Sequence, residues 1–100
     1  FQMEKESYVY ILASQRNGTL NIGVTSDLVR RTWEHREGAV SGFSAKYGCK
    51  TLVYFEVFNG IYEAIRREKA LKEWKRSWKL ELIEHDNPTW RDLWRDISLP

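Results

Sequence analysis

The chain has 100 residues, 42% of them hydrophobic and 14% aromatic, with a formal net charge of +2, and that length allows one core and hence a single domain, expected over residues 3–100. The aromatic content excludes a disordered chain, while the lone cysteine, Cys49, excludes an internal disulfide or a cysteine-rich metal site and points to a reducing, cytoplasmic setting. No apolar run approaches the roughly 20 residues needed to cross a bilayer and no signal-peptide pattern is present, so a soluble, non-exported protein is expected.

In chain order, Phe1-Gln2 ahead of Met3 reads as a linker remnant of a protease site, with Met3 the expected native start. Tyr8 to Ala13 is β-branched and aromatic and predicts a central strand, with Tyr8, Tyr10 and Leu12 on one side and Val9, Ile11 and Ala13 on the other. Asn17-Gly18 signals a hairpin, because both residues tolerate positive φ, and leads into a second strand, Thr19 to Gly23. Ser26 or Asp27 can cap a helix that Gly38 terminates. Its apolar arc should run Leu28, Thr32, Val29, Trp33, with Arg31 and His35, four residues apart, together just beyond the edge, where a cleft-lining pair belongs.

The polar stretch Gly38 to Lys50, punctuated by Gly42 and Gly48, has room for a short turn of helix, and Thr51 to Phe58 predicts a third strand. Asn59-Gly60 opens a long helical region to about Glu84, with a break near Ser77. Ala64, Ile65 and Leu71 form its apolar arc, and Glu68 falls near the middle of that arc. A carboxylate there must be paired or hold a cation: either an ion pair with Lys72, or a metal ligand or general base. Asp86-Asn87-Pro88 then breaks the pattern before a short helix over Thr89 to Trp94, with Trp90 and Trp94 stacked one turn apart.

From Arg66 to Lys79 there are seven cations against two acids, interleaved with Trp74 and Trp78. Arg67, Lys72, Lys75 and Arg76 are candidate nucleic-acid contacts on that helix, although a plain solvated face has the same composition. Exposed Trp74, Trp78, Trp90 or Trp94 would instead suit a protein partner.

Val9-Tyr10-Ile11, Asn21-Ile22-Gly23, then Arg31, His35, Glu68 and Asn87, in that order and spacing, resemble the GIY-YIG nuclease superfamily, and more closely its small single-domain bacterial branch. The resemblance covers Tyr8 to about Leu93. It implies an α/β sandwich, a three-stranded antiparallel sheet flanked by helices, and a divalent-metal-dependent endonuclease hydrolysing DNA phosphodiester bonds, with magnesium the expected ion and branched or damaged DNA among the possible substrates. It further implies that Glu68 is the metal ligand and that Arg31 holds the scissile phosphate. Tyr10 would position or activate water, with His35 assisting in hydrogen bonding or proton transfer. Asn21 stands where the family has its second tyrosine. An amide has no proton to take or give near neutrality, so Asn21 is left to orient water, and a nuclease-derived binding module without catalysis is the alternative.

Overall fold

A computed structural model of the chain describes residues 6–39 and 42–98; Phe1, Gln2 and Met3 lie outside the described residues. The elements are β1 Ser7–Ala13, β2 Leu20–Thr25, α1 Leu28–Arg36, α2 Phe43–Tyr47, β3 Thr51–Phe58, α3 Ile61–Glu73, α4 Arg76–Asp86 and α5 Trp94–Ser98. The strands form one antiparallel sheet in the order β2-β1-β3, flanked by helices as the sequence implies.

The central place of β1 explains why its residues are apolar on both sides. Val9, Ile11 and Ala13 pack with Ile22, Ala64, Leu71 and Ile83 under α3 and α4. Tyr10 and Leu12 pack on the other face with Leu28, Cys49 and Leu52, closed by Leu93 and Ile97 from the C-terminal segment. A bulge adjusts the register, since Ile11 lies opposite Tyr54 while Leu12 lies opposite Leu52, leaving Val53 as the extra, buried residue. Glu56, opposite Val9, faces α3, where Arg67 grips it through Nε and Nη2, each at 2.9 Å, and the Tyr54 hydroxyl donates to the same carboxylate.

Two sequence expectations hold with local adjustment, the hairpin and the helix break, and two are corrected, the buried stripe of α1 and the terminal helix. In the hairpin Asn17 alone takes positive φ, at 58°, and the loop closes through Gly18 N–H to the Gln15 carbonyl and Ser14 N–H to the Thr19 carbonyl. The buried stripe of α1 is Leu28, Thr32 and His35, with Val29 and Trp33 exposed. Its polar members enter the interior because each is satisfied there: the Thr32 hydroxyl donates to the Leu28 carbonyl at 2.7 Å, and both His35 nitrogens find partners. The long helical region divides near Ser77 as expected, the break falling at Trp74-Lys75, where Trp74 adopts extended backbone and packs on the core.

The helix expected over Thr89 to Trp94 does not form. Trp90 has φ 58° and is buried in the core with Nε1–H donating to Glu84, so it cannot stack on Trp94, and the helix starts only at Trp94. The competing structure is a loop organised by Asn87. Its buried amide donates to the carbonyls of Val53 and Arg91 at 3.1 and 2.9 Å and accepts from the Arg91 N–H at 3.2 Å, tying the C-terminal segment to β3.

Candidate active site

The sheet register sets Tyr10 opposite Gly23. A Cβ on Gly23 would stand 2.3 Å from the Tyr10 hydroxyl oxygen and 2.4 Å from its Cζ, so glycine is required there for space and not for backbone freedom. The phenol is thereby laid across the edge strand β2, buried. His35 meets it from α1, with Nε2 3.4 Å from Tyr10 Oη, and its Nδ1 lies 2.7 Å from Ser44 Oγ on α2. Tyr10, His35 and Ser44 thus form a buried line contributed by three elements. Local capping fixes α1 in place: the Asp27 side chain accepts from Arg30 N–H at 3.1 Å, and Gly38, at φ 73°, ends the helix with its N–H on the His35 carbonyl.

Charges gather around this line. Burial pushes the Tyr10 phenol above its ordinary pKa, Arg31 draws it partly back, and Glu68 and Glu34 push it up again. Burial lowers the His35 pKa, Arg31 lowers it further, and Glu34 opposes them. Both groups are therefore neutral near pH 7. The Arg31 side chain is 43% exposed, 3.6 Å from Glu34, and opens onto a groove of ≈ 530 Å³ between the β2–α1 and β3–α3 turns, lined also by Ser26, Asn59 and Gly60. A guanidinium so placed can receive a phosphate.

Glu68, on α3, acts on this line through its charge, which raises the Tyr10 pKa. Its side chain is 13% exposed and its carboxylate lies 2.7 Å from Lys72 Nζ, so the ion-pair reading of the sequence is realised. The ammonium is 53% exposed and can swing away. No group of three or more His, Cys, Asp or Glu side chains able to hold a metal occurs among the described residues. A lone carboxylate does not fit a zinc or calcium cage, but it fits magnesium, which keeps most of its waters and takes further oxygens from phosphate. Asn21, opposite Leu12, alternates onto the same sheet face as Gly23, two residues from the phenol's crossing point.

The other sequence candidates are held by internal contacts. Arg67 is forked on Glu56 and stacked over Trp74, Lys75 lies over Trp78, and Arg76 donates to the Asn17 and Gly18 carbonyls of the hairpin, both at 2.7 Å. The side-chain partners of Asn87 lie in β3 and its own loop. The structure therefore brings Tyr10, Gly23 and His35 into contact, sets Arg31 one helical turn before His35 and Glu68 within electrostatic reach of Tyr10, and adds Glu34 and Ser44, which the sequence reading missed. Glu34 was readable as an i,i+3 partner of Arg31; Ser44, nine residues from His35 across a glycine-rich loop, carried no pattern.

The three-stranded sheet carries Tyr10 on its central strand, Arg31 and His35 on the first helix and Glu68 on a later one, the order on which the resemblance to the GIY-YIG superfamily rests. The model of the GIY-YIG catalytic domain matches residues 6–81, and the chain belongs to the GIY-YIG family, within the GIY-YIG nuclease superfamily. It is similar to UPF0213 proteins: one from Clostridium perfringens is 33% identical over 93 residues, covering 93% of this chain and 99% of the relative. Another, from Streptococcus agalactiae serotype V, is 35% identical over 82 residues, covering 81% and 92%. The solution NMR structure of a UPF0213 protein from Bacillus halodurans matches with a TM-score of 0.55 at 27% identity, covering 95% of this chain and 99% of that one. No helix among the described residues is long and apolar enough to cross a membrane.

Proposed function

We propose that this protein is a magnesium-dependent endonuclease that hydrolyses DNA phosphodiester bonds. The observation that carries the reading is the buried Tyr10–His35 contact beside Arg31 and Glu68, two neutral proton-transfer groups next to a phosphate-binding cation and a metal-binding carboxylate. Arg31 takes the scissile phosphate from the groove and stabilises the charge that develops on it. The attacking water gives its proton to Tyr10 Oη as the Tyr10 proton passes to His35 Nε2, so the phenol, held protonated by burial, never has to ionise alone. His35 suits this task because its lowered pKa keeps it an empty base at neutral pH. Glu68 is the residue that would hold magnesium, which supplies Lewis-acid neutralisation of the phosphate when bound.

Asn21 favours a second reading, a binding module that keeps the nuclease fold and has lost hydrolysis, with salt-sensitive, metal-independent affinity for nucleic acid. Magnesium-dependent cleavage of single-stranded, duplex and branched DNA by the parent, Glu68→Ala and Asn21→Tyr separates the two. The proposal expects cleavage in the parent that Glu68→Ala abolishes with the fold intact; cleavage unaffected by Glu68→Ala would overturn it. A silent parent with an active Asn21→Tyr would mean an intact site switched off at one position, and silence in all three, with salt-sensitive binding, would favour the binding module.

A further inference from the structure

We propose that Ser44 is a positioning residue for His35, its hydroxyl accepting from Nδ1–H and so leaving the lone pair of Nε2 aimed at the Tyr10 hydroxyl. The inference rests on the nuclease reading above for its consequence, but not for its geometry. A neutral imidazole carries one proton, and the partner of one nitrogen decides the role of the other. His35 has a partner at each nitrogen, Ser44 Oγ at 2.7 Å and Tyr10 Oη at 3.4 Å, and all three residues are buried, at 6, 7 and 4% exposure for Ser44, His35 and Tyr10. Water is therefore a poor substitute for either contact.

Two arrangements satisfy the line. In one, Nδ1–H donates to Ser44 and the Tyr10 hydroxyl donates to Nε2; in the other, Ser44 donates to Nδ1 and Nε2–H donates to Tyr10. Only the first leaves a base where a proton must be received. It also survives the transfer: once Nε2 is protonated, the imidazolium donates to Ser44 through Nδ1 and to the Tyr10 oxygen through Nε2, with no hydroxyl forced to turn. Of the two hydroxyls the phenol is the more acidic and so the stronger donor, which places its proton on the Nε2 contact and leaves Ser44 to accept from Nδ1–H.

Placement of Ser44 on α2 matters as much as its chemistry. That helix has five residues, ends at Gly48 in a left-handed conformation, and points Ser44 inward while Phe43 and Tyr47 remain exposed. Apart from Ser44 it contributes no other buried side chain, so its orientation of the imidazole is a single-residue effect.

The test reads tautomer and turnover separately, in the full chain. The ¹⁵N shifts of the His35 ring should report the Nδ1–H form in the parent, and Ser44→Ala should shift it toward the Nε2–H form and lower the His35 pKa, because the imidazolium loses an acceptor. On magnesium-dependent cleavage, Ser44→Ala should lower kcat about ten- to a hundredfold, the scale of one lost hydrogen bond to a charged ring, with KM little changed. Ser44→Thr, which keeps the hydroxyl, should restore both readouts and also controls for folding of α2. An Nε2–H ring in the parent, or a Ser44→Ala enzyme with unchanged kcat and pH profile, overturns the proposal. A parent with the Nδ1–H ring but no cleavage of any substrate refutes the nuclease reading instead and leaves the tautomer assignment standing.

Discussion

Replacing Gly23 by alanine should injure the site through one side chain. The backbone there has no positive φ, so alanine by itself would favour the strand by about 0.5–1 kcal/mol. Its methyl, however, would sit 2.3 Å from Tyr10 Oη and 2.4 Å from Cζ, and a buried ring cannot yield without moving its neighbours. Overpacking of that kind costs roughly 1–3 kcal/mol. Swinging the phenol away also strips His35 Nε2 of its partner, at about 1–3 kcal/mol for a buried group left unsatisfied. The net loss is about 1–5 kcal/mol, and in a domain of this length each kcal/mol lowers Tm by about 4–8 °C. Urea and thermal unfolding of Gly23→Ala, Tyr10→Ala and the double variant provide the assay. Tyr10→Ala alone should cost about 3–5 kcal/mol through the cavity it leaves. In that background the Gly23→Ala change should become neutral or slightly stabilising, a non-additivity of at least about 1 kcal/mol. Equal cost of Gly23→Ala with and without the Tyr10 ring would refute the reasoning.

Asn87→Ala removes three hydrogen bonds that hold the C-terminal loop on β3 and should destabilise by about 2–4 kcal/mol, read by urea unfolding, with earlier proteolysis after Pro88. Arg67→Ala leaves Glu56 half-buried without its fork and Trp74 without its cation. A loss of about 1–3 kcal/mol is expected, and it should shrink in Glu56→Gln, which no longer leaves a charge behind. Acid should weaken the fold in two steps. His35, with a folded pKa below the unfolded value near 6.5, contributes stability present above that pH and lost as the pH falls toward its folded pKa. Burial alone would raise the Glu56 pKa, but the hydrogen bonds from Arg67 and Tyr54 and the Arg67 charge bring it below the ordinary carboxylate value. Its contribution is thus present above about pH 4.3 and is lost as the pH falls through the lower, folded value. Denaturant midpoints of the parent, His35→Gln and Arg67→Ala between pH 7 and 3 check both steps, and His35→Gln should flatten only the upper one.

The strands were legible because strand signals are local: alternation and β-branching mark β1, and β3 occupies the predicted span, Thr51 to Phe58. Glu68 was legible for a related reason, since one carboxylate in an apolar arc stands out at helical spacing. What failed in the sequence depended on contacts distant along the chain. His35 lies inside the buried stripe of α1 because Ser44 and Tyr10 satisfy its nitrogens, and neither partner is on that helix. Trp90 is in the core instead of on a terminal helix because Asn87 reaches back to Val53, 34 residues earlier. Arg67 looked like one more cation of a basic face until the register of β3 set Glu56 under it. A helical wheel sees none of these pairings, and those at Trp90 and Arg67 convert an apparent surface or binding residue into part of the fold.

The same topology bears on the amide at position 21. Asn21 and Gly23 occupy the Tyr10 face of the edge strand, and the phenol crosses that strand at Gly23, with Asn21 beside the crossing. From the Tyr10 hydroxyl the described hydrogen bonds lead to α1 and α2, through His35 to Ser44. In the proposed reaction a proton drawn off the water would therefore have a route that uses no second phenol, and an amide could still hold that water by donating to or accepting from it. One consequence separates this site from one with two phenols. Only one group on the route titrates near neutrality, so the acid limb of a cleavage profile belongs to His35 alone. That limb should lie below pH 6.5, because burial and Arg31 both hold the imidazole neutral there.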